Sequence, residues 1–202
     1  QLMEENKGQI AAVIMEPIRN DYPQDGFLTE IRRMTAEEKI PLIFDEISSG
    51  FRMCCGGSHM VLGVEPDVAV FAKAMTNGYP IAAVIGRKGI MTAAQDTFIS
   101  STFWTERVAL AAAVKSIQEY REHNVAEHLM CIGKRVQEGW VRQAEAAGLR
   151  IHVGGIYPLS HFDFENDQPL ECKTYFTQEM LRRGYLAYTG FYASFAHTEQ
   201  VV

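Results

Sequence analysis

The sequence contains two short apolar runs, IPLIFDE (40–46) and DVAVFAK (67–73), and each run ends in a charged side chain. Two further runs, QIAAVIM (9–15) and IAAVIG (81–86), are also continuously apolar, with almost no polar interruption. Such runs, bounded by turn residues, are typical of strands buried on both faces, as in a parallel sheet. FLTEIRRMTAEEK (27–39) lies between the first two strands of the chain, and its apolar spacing predicts a helix. Strand, helix and strand in this order predict an α/β layer fold.

The character of the sequence changes after residue 105. Two segments rich in good helix formers follow, 106–123 and 125–147, and Gly148 is a plausible end for the second helix. Beyond them the pattern predicts short strands and one amphipathic helix, in the order IHV (151–153), YPLSHFDFE (157–165), LECKTYFTQEMLRRG (170–184) and FYASFA (191–196). We therefore expect two domains. Residues 1–120 form part of a large, mostly parallel α/β domain, and residues 121–202 form an incomplete smaller α+β domain with its leading helix.

Composition and charge exclude several classes of protein. The 202 residues carry 19 Lys and Arg against 25 Asp and Glu, a net charge of −6, and 47% of them are hydrophobic. An acidic chain without a basic block is a poor candidate for binding nucleic acid or an anionic membrane surface. No apolar run approaches the ~18 residues that a transmembrane helix needs. The four cysteines and six histidines show no metal-ligand spacing, so we expect reduced thiols, a cytoplasmic protein and no metal site.

Asp45 and Lys73 are the residues most indicative of chemistry. Each follows an apolar strand, and ligands of open α/β sheets bind at the carboxyl ends of strands. A carboxylate and an amine in these positions could face one ligand. Each also has an ordinary structural explanation, since a strand-end Asp often caps a turn and a strand-end Lys often extends into water. The residues alone leave both interpretations open.

Four blocks of the sequence, in order, resemble the class III aminotransferases. They are IAAVIMEPI (10–18), DEISSGFR (45–52), VEPDVAVFAKAMTNGYPIAAVIGR (64–87) and SSTFWTERVALAAA (100–113). These enzymes have the fold-type I architecture and use pyridoxal 5′-phosphate (PLP). The similarity covers essentially the whole chain and is greatest to the branch that contains glutamate-1-semialdehyde aminomutase.

The resemblance implies a role for four residues. Lys73 matches the lysine that forms a Schiff base with PLP and later moves the proton, and Asp45 matches the acid that pairs with the pyridine nitrogen. Ile47 matches the β-branched residue that packs on the ring. Thr102 matches the threonine that contacts the cofactor phosphate, in a loop that usually comes from the other subunit, so the resemblance also implies a homodimer. An amino donor and an oxo acceptor are the substrates implied.

The sequence also departs from the family pattern. Thr105-Glu106-Arg107 stands where relatives commonly read Gly-Asn-Pro, and Asp21 stands where many aminotransferases have a glutamate near the substrate. Family members are longer, and we expect this chain to lack an N-terminal part with the phosphate-binding turn and the ring-stacking aromatic, as well as the extreme C-terminus. GGS (56–58) is interpreted as an ordinary loop that does not open a helix. Three functions stay open: an aminotransferase, a glutamate-1-semialdehyde 2,1-aminomutase, and a non-catalytic α/β binding module.

Overall fold

The structure is a computed structural model and describes residues 2–202. Its contacts divide the chain into two compact units, one made of the stretches up to Ile18 and from Pro23 to Asn124, the other of Arg19–Tyr22 and Val125–Val202. The elements of the first unit are α1 (Leu2–Glu5), β1 (Val13–Met15), α2 (Phe27–Glu37), β2 (Leu42–Asp45), α3 (His59–Leu62), β3 (Val68–Phe71), β4 (Ala83–Gly86), α4 (Lys88–Met91) and α5 (Arg107–Glu122), with short 3₁₀ turns at Lys73–Met75 and Thr92–Asp96. The second unit contains α6 (Val125–Ala146), β5 (Ile151–Gly154), β6 (Leu159–Phe164), α7 (Pro169–Arg182) and β7 (Gly190–Tyr192).

The first unit is built on a four-stranded sheet in the order β1-β2-β3-β4. β1, β2 and β3 are parallel, with Ile43 opposite Ile14 on one side and opposite Val68 on the other. The helix predicted over residues 27–39 is α2, which connects β1 to β2. Parallel strands end at the same edge of a sheet, so the residues that follow β2 and β3 emerge side by side.

Burial of the four strands differs from the prediction. Phe44 and Leu42 of β2 are fully buried and form the core of this unit with Leu28 of α2 and Val64. β4, in contrast, runs antiparallel to β3 and exposes Val84 by 53% and its neighbour Ile85 by 57%. The expectation of a parallel strand buried on both faces was wrong for β4. An apolar run has the same sequence pattern in either direction, and the turn before it sends the chain back along β3. The expectation of burial on both faces was also wrong for β1, where Ile14 is 65% exposed.

The second unit has a three-stranded antiparallel sheet in the order β5-β6-β7. Its apolar side is aromatic: the ring of Phe162 meets those of Trp140, Phe164 and Phe176 at centroid distances of 4.9, 5.4 and 5.4 Å, all edge to face. Edge-to-face pairs of this kind add about 0.5–1.5 kcal/mol each beyond their buried area. β7 is shorter than the predicted strand FYASFA and spans Gly190–Tyr192.

Close packing inside the second unit requires a glycine on α6. A Cβ built on Gly133 would lie 1.8 Å from the carbonyl oxygen of Tyr157, so this helix approaches the backbone of residue 157 more closely than any side chain allows. Among the helices of residues 2–202, none is long and apolar enough to cross a membrane.

Candidate active site

Asp45 is the last residue of β2 and is partly buried. Its Oδ1 accepts a hydrogen bond of 3.0 Å from the backbone N–H of Ile47, which is also partly buried. This bond within the turn fixes the orientation of the carboxylate at the edge of the sheet. One carboxylate oxygen is thereby held by the turn, and the other is the more available for a ligand.

Lys73 follows β3 by two residues and opens a 3₁₀ turn. Its backbone has a φ of 45°, in the left-handed region that side chains other than glycine rarely adopt. This conformation costs an L-residue roughly 1–2 kcal/mol. Strain of this kind is common at functional positions. Lys73 is exposed, and its Nζ donates a hydrogen bond of 2.7 Å to Oγ of Ser48.

The structure brings together Asp45, Ile47 and Lys73 at neighbouring strand ends. β2 and β3 are parallel neighbours, with Asp45 paired with Val70, and the turn after β2 reaches the lysine through Ser48. Thr102 lies in an exposed turn just before α5. Across residues 2–202, no hydrogen bond connects its side chain to the other three.

Glu46 is a residue of this region that sequence reasoning missed. Its carboxylate is fully buried and accepts hydrogen bonds from Oγ of Ser49 (2.6 Å), from N and Oγ of Ser58 (2.9 and 2.8 Å) and from N of His59 (2.9 Å). Nδ1 of His59 lies 2.9 Å from the same carboxylate and donates to it when it carries the proton. Burial alone would raise the pKa of Glu46, but the hydrogen bonds outweigh it and hold the pKa below its ordinary value.

The hydrogen bonds of Glu46 to Ser58 and His59 therefore hold the loop after β2 in place. The interpretation of GGS (56–58) as a loop that opens no helix was wrong, because α3 begins at His59, directly after it. A Cβ on Gly57 would lie 2.8 Å from Oε1 of Glu46, which explains the glycine. The sequence did contain a signal for Glu46, a carboxylate at the end of an apolar strand with serines and a histidine after it. The spacing did not show which of these residues bind the carboxylate.

A second carboxylate, Asp67, fixes the start of β3. Oδ2 accepts bonds from the backbone N of Leu42 (2.9 Å) and from Nη1 of Arg32 (2.7 Å), and Oδ1 pairs with Arg87 at 3.1 Å. Desolvation opposes ionisation here, yet these partners hold the pKa of Asp67 below its ordinary value. Asp67 thereby joins β2, α2 and the end of β4, the frame that carries Asp45 and Lys73.

Glu106 acts as a helix cap. Its carboxylate accepts hydrogen bonds of 2.8 Å from N of Val108 and of 2.8 Å from N of Ala109, the first exposed donors of α5. These bonds hold the pKa of Glu106 below its ordinary value. Glu106 stands where relatives commonly have the Asn of Gly-Asn-Pro, and here it caps α5, the helix that follows the Thr102 turn.

Two further features lie outside this region. One group of potential metal ligands comes within 4.8 Å in the part of the chain that is described: Glu119 and Glu122 of α5 with His123, which follows the helix. Glu119 already pairs with Lys115 and His123. An apolar cavity of about 460 Å³ lies within the second unit and is lined mainly by aromatic and aliphatic side chains. None of the four predicted site residues belongs to either feature.

A family model described as aminotransferase class-III matches residues 1–189. The chain belongs to the class-III aminotransferase family. This class-III chain is 30% identical to the 3-aminobutyryl-CoA aminotransferase of Cloacimonas acidaminovorans, in a match that covers 98% of the chain and 51% of that protein. It is 34% identical to the glutamate-1-semialdehyde 2,1-aminomutase of Geotalea daltonii, over 86% of the chain and 42% of that protein.

Solved structures give the same result. The structure of the class-III chain matches that of the FumI protein of Sphingopyxis sp. MTA144, in a form that contains PLP, with a TM-score of 0.93 and 29% identity. This match covers 99% of the chain and 50% of the FumI chain. The predicted family and the fold-type I class are thereby confirmed. The chain spans about half the length of the curated relatives it matches.

Proposed function

We propose that the protein is a PLP-dependent class III aminotransferase, which moves an amino group between an amine or amino acid and an oxo acid or aldehyde. The observation that carries the proposal is the placement of the Lys73 amine and the Asp45 carboxylate at the carboxyl ends of two adjacent parallel strands. Family membership supports the same activity.

The side chains present are chemically suited to PLP. A primary amine bonds covalently to the aldehyde carbon of the cofactor, and a carboxylate pairs with a protonated pyridine nitrogen. Lys73 and Asp45 supply these two groups, and Ile47 supplies a β-branched apolar surface for the ring. Thr102 would contact the phosphate. When bound, PLP supplies an electron-accepting ring that makes the bonds at the amine-bearing carbon of the substrate labile.

The residues of the chain would then divide the work. Nζ of Lys73 would hold the cofactor and would move the proton at the substrate Cα. Asp45 would keep the proton on the ring nitrogen, and the N–H of Ile47 orients the carboxylate for this task. The buried hydrogen bonds of Glu46 hold the adjacent turn in place.

We further propose the assembly in which this happens. Residues 1–120 correspond to the C-terminal portion of the large PLP-binding domain and residues 121–202 to the small domain with its leading helix. The Thr102 turn is exposed, which favours a homodimer in which it reaches the partner's cofactor. Four free thiols favour the cytoplasm.

A glutamate-1-semialdehyde 2,1-aminomutase is the second candidate. Identities of 35% and 34% to two enzymes of that name support it. The two candidates differ in one requirement: an aminotransferase needs an external oxo acceptor for turnover, whereas the aminomutase shifts the amino group within one molecule. A non-catalytic module is disfavoured because Lys73 and Asp45 are both present and placed together.

The test is borohydride reduction of the protein loaded with PLP, followed by peptide mapping. Borohydride fixes PLP to the amine that holds it, so the label is expected on the Lys73 peptide and absent from Lys73→Ala. Lys88→Ala, an exposed lysine at the start of α4, is the control and should keep the label and the activity. Label on another lysine in the parent protein would contradict the proposal.

A further inference from the structure

Ser48 is a buried residue whose hydroxyl binds one side chain among residues 2–202. It is 7% exposed, and its Oγ accepts the hydrogen bond of 2.7 Å from Nζ of Lys73. Among the described residues, 2–202, no other side chain donates to this hydroxyl. Its neighbour Ser49, in contrast, donates to the Glu46 carboxylate and helps to hold the loop. The two adjacent serines therefore serve different partners.

The turn that carries Ser48 is held against the end of β3. Gly50 N donates to Glu46 O (2.8 Å), and Glu46 N donates to Val70 O (2.9 Å), which joins the turn to β3. A Cβ on Gly50 would lie 2.7 Å from Glu46 O and 2.8 Å from the ring of Phe71, so this turn is pressed against the end of β3. Ser48 is therefore held in place beside the long side chain of Lys73.

A hydroxyl is suited to a lysine that is alternately bonded and free. It accepts a hydrogen bond from an ammonium group and donates one to a neutral amine, so it can bind the side chain in either state. Holding a long lysine side chain in one place costs rotamer entropy, and the hydrogen bond to Ser48 opposes that cost. We propose that Ser48 is a positioning residue that binds the Lys73 amine whenever PLP is not bonded to it. This inference rests on the proposed function, because the Lys73 amine is released from PLP only if the protein carries out that reaction.

The first test uses the protein without cofactor. Limiting acetic anhydride at fixed pH acetylates the available lysines, and mass spectrometry gives the rate for each lysine. Loss of one hydrogen bond of ordinary net strength should make Lys73 about three-fold more reactive in Ser48→Ala. Ser160→Ala, which removes another buried hydroxyl in the second unit, is the matched control and should leave Lys73 unchanged. Lys88 serves as the internal standard, and Ser48→Cys, with its weaker hydrogen bond, is the second variant if Ser48→Ala does not fold.

The second test measures how readily methylamine displaces Lys73 from PLP, followed by absorbance. The C4′–N double bond to Lys73 breaks, one to methylamine forms, and Lys73 leaves as the free amine, so no oxidant is needed. Without Ser48 the freed amine loses its partner, and half-displacement should need about three-fold more methylamine. Ser48→Thr, which keeps a hydroxyl, should restore the parent value.

The outcomes separate two kinds of failure. If borohydride maps PLP to another lysine, the proposed function fails at this site, while the acetylation experiment still measures the contact between Ser48 and Lys73. If PLP maps to Lys73 but acetylation and displacement are the same in Ser48→Ala as in the parent, the positioning role of Ser48 is wrong.

Discussion

Replacement of Glu46 by Gln should destabilise the first unit by about 3 kcal/mol. The glutamine oxygen can retain the bonds from Ser49 and Ser58, but the amide N–H₂ then faces the N–H of His59, which is left buried without an acceptor. An unsatisfied buried donor costs about 1–3 kcal/mol. The bonds that survive change from charge-assisted to neutral and are weaker, and the lower cost of burying a neutral amide offsets part of that loss. The Glu46 side chain is 0% exposed, so bulk solvent does not reach it to compensate.

The assay is urea denaturation of the parent and of Glu46→Gln at several pH values. Glu138→Gln, on the exposed face of α6, is the matched control, and its free energy of unfolding should lie within about 0.5 kcal/mol of that of the parent. Since the folded-state pKa of Glu46 is depressed, its contribution is fully present above the unfolded value of about 4.3 and is lost as pH falls through the folded value. The difference in the free energy of unfolding between the parent and Glu46→Gln should be constant from pH 7 to about 5 and should become smaller below about pH 4. A difference under about 1 kcal/mol, or one that does not narrow in acid, would refute the role of this carboxylate.

Three further predictions follow from the backbone and the site. Lys73→Gly should be about 1 kcal/mol more stable than Lys73→Ala by urea denaturation, because glycine tolerates the φ of 45°; equal stability would contradict the strain. Gly133→Ala should cost about 2–3 kcal/mol through the clash with Tyr157, whereas Gly139→Ala on the same helix, with its nearest atom at 3.9 Å, should be slightly stabilising, as denaturation midpoints will show. Thr102→Ala should raise the dissociation constant of PLP more than it lowers kcat, and verified heterodimers with Lys73→Ala should recover activity if the turn acts across the interface; no recovery would assign it to its own subunit.

Local patterns predicted the framework of the fold well. The apolar runs 40–46 and 67–73 gave two strands of a parallel sheet, because a strand buried on both faces leaves a continuous apolar signature. The long helices α5 and α6 were equally evident from composition. The direction of β4 was not, since pairing direction depends on the turn before the strand rather than on its composition.

The sequence likewise indicated some residues of the candidate site and not others. Strand-end positions and the family resemblance indicated Asp45 and Lys73, and their roles stay a prediction until the cofactor is mapped. Glu46 and Ser48 escaped notice because their importance lies in partners 12 and 25 residues away, Ser58 and Lys73. Sequence spacing along one strand or helix carries no information about such bonds across a loop.

The partners of Asp67 have a consequence for how the chain folds during synthesis. Arg32 and Leu42 lie 35 and 25 residues before the carboxylate that joins them. α2 and β2 therefore emerge from the ribosome before the carboxylate that joins them. Translation adds about 5–20 residues per second, so the early strand–helix–strand segment waits for a second or more with its guanidinium and its strand N–H without their partner. During that interval β2 also lacks its parallel neighbour β3, which begins directly after residue 67.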